Sequence, residues 1–144
     1  MKFIIRLHPE IIIKSRNVRK RFTRLLEGNI RLIFKRNNLS VEVRSSWDKL
    51  LLLVNPAAYD KQNEIIDLLQ RIPGIDQILL VQESKFTDLD DICLQVKASW
   101  QTLLVGKSFV VRAKRRGSHT FSSLEAARYV GGYLNQNCET AGVN

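Results

Sequence analysis

Four short runs of aliphatic and β-branched residues, KFIIRL, SVEVR, KLLLLV and IDQILLV, are spread along residues 1–82 with two stretches of helical period between them. Strand-like and helical segments in a fixed order leave few ways to bury both kinds of apolar face, so this order constrains the fold more than any single motif. KFIIRL ends ahead of Pro9, which has no N–H to give to a ladder. From Ser15, an expected N-cap, Val18, Phe22, Leu25, Leu26, Leu32 and Ile33 follow the spacing of one helix face, which predicts an amphipathic helix ending at Arg36. SVEVR and KLLLLV are joined across the turn-forming SSWD. Asn55 and Pro56 open a second helix to Arg71, with Ile65, Ile66, Leu68 and Leu69 on its apolar side, and Pro73-Gly74 stops it.

The order β-α-β-β-α-β predicts an α+β protein whose residues 1–82 form a ferredoxin-like split βαβ domain, a four-stranded antiparallel sheet with both helices on one face. Residues 83–87 are expected to be a linker and residues 88–144 a second, α/β unit. In that unit Thr87 or Asp88 caps a helix running through Ile92, Val96, Trp100 and Leu103. A strand, SFVVRAKR, follows, and Ser122-Ser123-Leu124-Glu125 has the S-x-x-E form of a capping box, opening a helix with Leu124, Ala127, Val130, Leu134 and Cys138 on one side. One strand makes no sheet. Its ladder partners are expected in the first unit, in another chain or in residues beyond this sequence, so the chain is expected to stop inside its second domain.

Charge is unevenly placed. Residues 1–36 hold 11 Lys/Arg against 2 Asp/Glu, residues 37–106 hold 6 against 10, and residues 107–144 hold 6 against 2, for a net charge of +9. Positive charge gathered in two separate segments predicts a basic surface facing phosphates, with nucleic acid as the partner class. No apolar run approaches the roughly 20 residues that span a bilayer, and MKFIIRLHPE lacks the long apolar core of a signal peptide, so a cytoplasmic location and no membrane partner are expected. Cys93 and Cys138 have no CxxC or Cys/His spacing, which predicts buried free thiols with neither a disulfide framework nor a metal site.

Two groups of residues carry the expected contacts. Arg16, Lys20, Arg24, Arg31 and Lys35 share about a third of the circumference of the first long helix at about 100° per residue, opposite its apolar face. A solvated helix surface is the alternative, but such surfaces mix signs, and Glu27 is the one acid here. In SFVVRAKR the strand period turns Phe109, Val111 and Ala113 to one side and Arg112, Lys114 and Arg116 to the other. Together with Arg115, the glycine turn at Gly117 and the helix start at Ser122, these cations form a candidate phosphate seat, although the Glu125 carboxylate competes for the same helix-terminal amides. His119 is a candidate for hydrogen bonding a phosphate or stacking on a base, with plain solvation as its alternative. Gly131 and Gly132 weaken a helix by roughly 1 kcal/mol each, so close packing or a ligand is expected to need the bare backbone. KLLLLV carries no aromatic residue and KFIIRL only Phe3, so the sheet is not a base-stacking platform, and no catalytic constellation stands out.

The strings PEIIIKS at Pro9–Ser15, RIPGI at Arg71–Ile75, VRAKRRG at Val111–Gly117 and YVGG-LNQ across Tyr129–Gln136 together resemble the N-terminal region of the bacterial tRNA 4-thiouridine synthetase (tRNA sulfurtransferase) family. The resemblance spans nearly the whole chain. It implies a ferredoxin-like domain followed by a THUMP domain, here truncated, that recognise the acceptor end of tRNA. It also implies a parent protein with a PP-loop domain that uses ATP, a cysteine desulfurase as sulfur donor, and a homodimer. No SGG-x-DS motif and no rhodanese loop lie in these residues, so neither catalytic residues nor a cofactor is expected in this chain itself. Two other readings stay open: the RNA-binding module of another THUMP-bearing enzyme such as a methyltransferase, and a non-enzymatic RNA-binding adaptor.

Overall fold

The computed structural model describes residues 1–144 and divides into two units, Met1–Glu83 and Ser84–Asn144. In the first, β1 (Lys2–Leu7), β2 (Val41–Ser45), β3 (Lys49–Val54) and β4 (Ile75–Val81) form a sheet in the order β2-β3-β1-β4. Every neighbouring pair is antiparallel, as the split βαβ pattern requires. The register sets Phe3 opposite Leu52 and Ile5 opposite Leu50, so alternate residues of the two central strands share one face. Phe3, Ile5, Leu7, Leu50, Leu52 and Val54 are buried on that face with Leu26, Ile30 and Phe34 of helix α2 (Arg16–Arg36) and Ile65 and Leu69 of helix α3 (Gln62–Gln70). Each such side chain contributes about 1.5–3 kcal/mol when fully removed from water.

Three details depart from the pattern read in the sequence. A short helix, α1 (Pro9–Ile12), follows β1, because Pro9 suits a first helical turn and the His8 ring accepts a hydrogen bond from the Glu10 amide at 3.3 Å. Pro56–Lys61 forms a 3₁₀ turn ahead of α3 instead of one continuous helix, with a kink at Ala58. On α2 the buried residues are Thr23, Leu26, Ile30 and Phe34, while Val18, Phe22, Leu25 and Leu32 are exposed. The helix has more apolar residues than the sheet can cover, and the buried face is turned by about one residue's 100° from the expected one. The basic stripe therefore lies beside the core face, not opposite to it.

In the second unit, α4 (Leu89–Leu104) is capped by the Asp88 carboxylate, which accepts from the Asp91 amide at 2.8 Å. Its partner α5 (Ser123–Asn137) starts at Ser122 with the expected reciprocal capping box. Cys93, Leu104, Val130 and Leu134 form the small core of this unit. Cys93 is buried and Cys138 half-buried, both as free thiols. The single-strand expectation is corrected here. β5 is confined to Ser108–Phe109 and pairs in parallel with β6 (Gly142–Val143), inside the same unit. The ladder is extended at its ends by the Ala141 amide on the Lys107 carbonyl at 2.9 Å and the Asn144 amide on the Phe109 carbonyl at 2.7 Å. Beyond Phe109 the segment has no strand beside it, so VVRAKR is not part of a sheet.

Candidate nucleic-acid interface

The stripe on α2 is built as its spacing implies. Arg16, Lys20, Arg24, Arg31 and Lys35 are all exposed. Arg31 pairs with Glu27 at 3.3 Å and donates from Nη2 to the Val43 carbonyl of β2 at 3.3 Å. The other four have no carboxylate within ion-pair distance: the chain's remaining salt bridges join Lys2 to Glu83 and Arg44 to Glu42. Four unneutralised cations on one helix side repel one another and gain by accepting an external anion. Asn17, Lys20, Arg21, Arg24 and Leu25 line a shallow groove on the same helix.

In the second unit the alternation read in the sequence persists without a ladder. Phe109, Val111 and Ala113 are half-buried while Arg112 and Lys114 are exposed, because Val111 and Phe109 pack on the helical core. Arg116 is exposed as well. Arg115 differs from its neighbours: its guanidinium Nη1 donates to the carbonyls of His119 and Phe121, each at 3.3 Å, and its amide donates to the Ser123 hydroxyl at 3.1 Å. It ties the 117–122 loop to the start of α5, leaving Arg112, Lys114 and Arg116 as the outward charges. The His119 ring lies 2.7 Å from the Arg116 carbonyl and stacks on Phe121, with centroids 5.4 Å apart at 15°. Phe86 closes against both rings at 5.8 and 6.4 Å.

Ser122 is already engaged. Its hydroxyl accepts from the Glu125 amide at 3.1 Å, and its own amide donates to the Glu125 carboxylate at 2.6 Å. The Ser122 amide, with the Ser122 hydroxyl second, holds the Glu125 carboxyl below the ordinary glutamate range. A lowered carboxyl favours the folded form above its unfolded value and loses that contribution as pH falls through the folded one, so the cap is intact near neutrality and weakens only in acid. The capping box thus occupies part of the expected phosphate seat, and the loop cations form the rest. Tyr129 of α5 donates to the Asp90 carboxylate of α4 across a surface depression that Phe86, His119 and Phe121 also line.

Sequence reasoning missed the aromatic trio and an Arg19–Trp47 contact in the first unit, where the Arg19 guanidinium carbon lies 5.2 Å from the Trp47 ring centroid. His119 and Phe121, two apart in an extended segment, were the available signal for the first. Nothing in SSWD signals the second.

Comparison with known proteins decides the family. The ThiI ferredoxin-like domain model matches residues 2–78, and the THUMP domain model matches residues 86–144. The chain belongs to the ThiI ferredoxin-like domain family. Its ThiI-type and THUMP regions are 54% identical over 143 residues to a tRNA sulfurtransferase of Aeromonas hydrophila, covering 99% of this chain and 29% of that relative. The chain therefore spans about three tenths of the length of the curated relatives it matches. Among solved structures, PH1313 of Pyrococcus horikoshii superposes with a TM-score of 0.71 at 25% identity, over 99% of this chain and 46% of that one. A 4-thiouridine synthetase, solved in complex with RNA and with bound ATP, superposes with a TM-score of 0.65 at 22% identity, over 99% of this chain and 35% of that one, which shows a shared fold.

Proposed function

We propose that this chain is the tRNA-binding N-terminal portion of a tRNA sulfurtransferase that makes 4-thiouridine, gripping the acceptor end of tRNA through phosphates. The observation that carries the reading is the set of unneutralised cations in both matched domains: Arg16, Lys20, Arg24 and Lys35 on α2, and Arg112, Lys114 and Arg116 before α5. The relatives' family supplies the reaction class. Lysine and arginine pointing outward without carboxylate partners bind a polyphosphate backbone by releasing its counterions, a mode that positions RNA without reading sequence. His119 and Ser122 act in this reading through the loop they shape, and Arg115 holds that loop in place. The chemistry belongs to the longer parent protein: a PP-loop domain would use ATP, a cysteine desulfurase would supply sulfur, and the parent would assemble as a homodimer.

Binding of folded tRNA across a salt series tests the proposal. Replacing Arg112, Lys114 and Arg116 together with alanine is expected to lower the slope of log K against log salt by about two units, since each lost phosphate contact removes about 0.7–0.9. The loss should be nearly equal for all tRNAs. An unchanged slope in a variant whose circular dichroism and melting are preserved would place the RNA elsewhere.

A further inference from the structure

The β2–β3 hairpin runs beside the basic stripe of α2. Arg31, which shares the azimuth of Arg16, Lys20 and Arg24, is bonded to Val43 in β2, and Arg19, 12 residues or about 18 Å nearer the helix start, lies against Trp47 in the hairpin turn. These two contacts fix the turn against the N-terminal half of α2. The turn itself is closed by the Ser46 amide on the Lys49 carbonyl at 2.9 Å, with the Ser46 hydroxyl bonded to the same carbonyl at 3.2 Å. Nothing in that geometry asks for tryptophan, since tight hairpin turns favour Asn, Asp and Gly.

Trp47 is nonetheless there, 62% exposed. One face of its indole is covered by a cation, and the ring is held out from the hairpin instead of packing into the core. An indole of this exposure, pre-ordered by Arg19, whose neighbours along the N-terminal turns of α2 include the free Arg16, Lys20 and Arg24, has the three parts of a single-strand binding site: a stacking surface, a restraint on its rotamer and a row of phosphate partners. An apolar protein surface would suit the indole but not the adjacent cations, which would lose their hydration with no carboxylate to meet them.

We propose that Trp47 stacks an unpaired RNA base while Arg16, Lys20 and Arg24 hold the neighbouring phosphates, so that this unit distinguishes single-stranded from fully paired RNA. The proposal rests on the RNA-binding reading above and adds a base contact to its phosphate contacts. Trp47 and Trp100 are the two tryptophans of the chain, and Trp100 lies on α4 in the other unit. The W100F chain therefore reports on Trp47 alone.

The test titrates the W100F chain with an oligoadenylate of about eight nucleotides, a length within the usual footprint of single-strand sites, and with a blunt-ended RNA duplex. Trp47 fluorescence is expected to be quenched by the oligoadenylate and little changed by the duplex. In the otherwise native chain, Trp47→Ala should weaken oligoadenylate binding ~5- to 150-fold, the range for losing one stacked base, with an unchanged salt slope. Trp47→Phe should recover part of the loss, and duplex binding should stay as it was. Should Trp47→Ala fail to fold, the fluorescence titration still decides. RNA that binds without altering Trp47 fluorescence, or an equal loss of duplex and oligoadenylate affinity, would overturn the stacking role while leaving the phosphate reading intact. A chain that binds neither RNA would overturn both. Burial of Trp47 through concentration-dependent self-association without RNA would assign the surface to a second copy of the chain and overturn the proposal as well.

Discussion

At the scale of single residues, charge and side were legible before the structure, and partnership was not. The outward direction of Arg112 and Lys114 follows from a two-residue period that survives without a sheet because Phe109 and Val111 are anchored in the helical core. Arg115 breaks the uniform reading of VRAKRRG, since its role depends on where the carbonyls of His119 and Phe121 fall, a matter of loop folding. The glycine pair is resolved more finely than the sequence allowed. A methyl group at Gly131 would meet Val111 and Val143 side chains at 3.7 Å, ordinary contact, so this is the place where α5 approaches its neighbours. At Gly132 it would meet nothing within 4 Å, and the residue is exposed. Gly132→Ala is accordingly expected to stabilise the second unit by about 0.5–1 kcal/mol through helix propensity alone, read as a higher denaturation midpoint with an unchanged m-value. A lower midpoint would mean that the bare backbone serves a packing need the structure does not contain.

At the scale of elements, the four long strands and four of the helices, α2 to α5, were legible because each carries enough turns or alternations for its period to show. β6 was not: two residues, Gly142 and Val143, have no period, and they lie in a polar tail. The face of α2 was misread for the opposite reason, an excess of apolar residues that offers two overlapping stripes, of which the sheet takes the one through Leu26, Ile30 and Phe34. The same difference in strand length predicts unequal protection. β1 is paired on both sides from Lys2 to Arg6, whereas β5 and β6 share a ladder of two residues each. Hydrogen exchange should therefore be slowest at Phe3–Ile5 and Leu50–Leu52, and far faster at Phe109 and Asn144 although both amides lie in or beside the ladder. Equal protection would require a further strand alongside β5 or β6 in solution.

At the scale of the whole molecule, the two units differ in the means of their stability. The first has fifteen buried residues in one cluster, the second only four in its own. Residues 1–83 expressed alone are thus expected to melt in a single cooperative transition close to that of the same unit in the full chain, while 84–144 alone should melt at a clearly lower temperature with a shallower slope; calorimetry of the two pieces checks this. The reverse order would show that the core count misjudges where the stability lies. The charge map read from the sequence also belongs to this scale, because its two cationic segments fall in different units, one in each. The parallel ladder carries one more consequence, for how the protein is made. Asn144 bonds to Ser108 across a separation of 36 residues, so while the ribosome feeds the chain out at ~5–20 residues per second, the first unit is complete and β5 stays unzipped for seconds until its mate emerges. Translation speed through the α5 codons then sets how long that strand edge is open to chaperones and to other nascent chains.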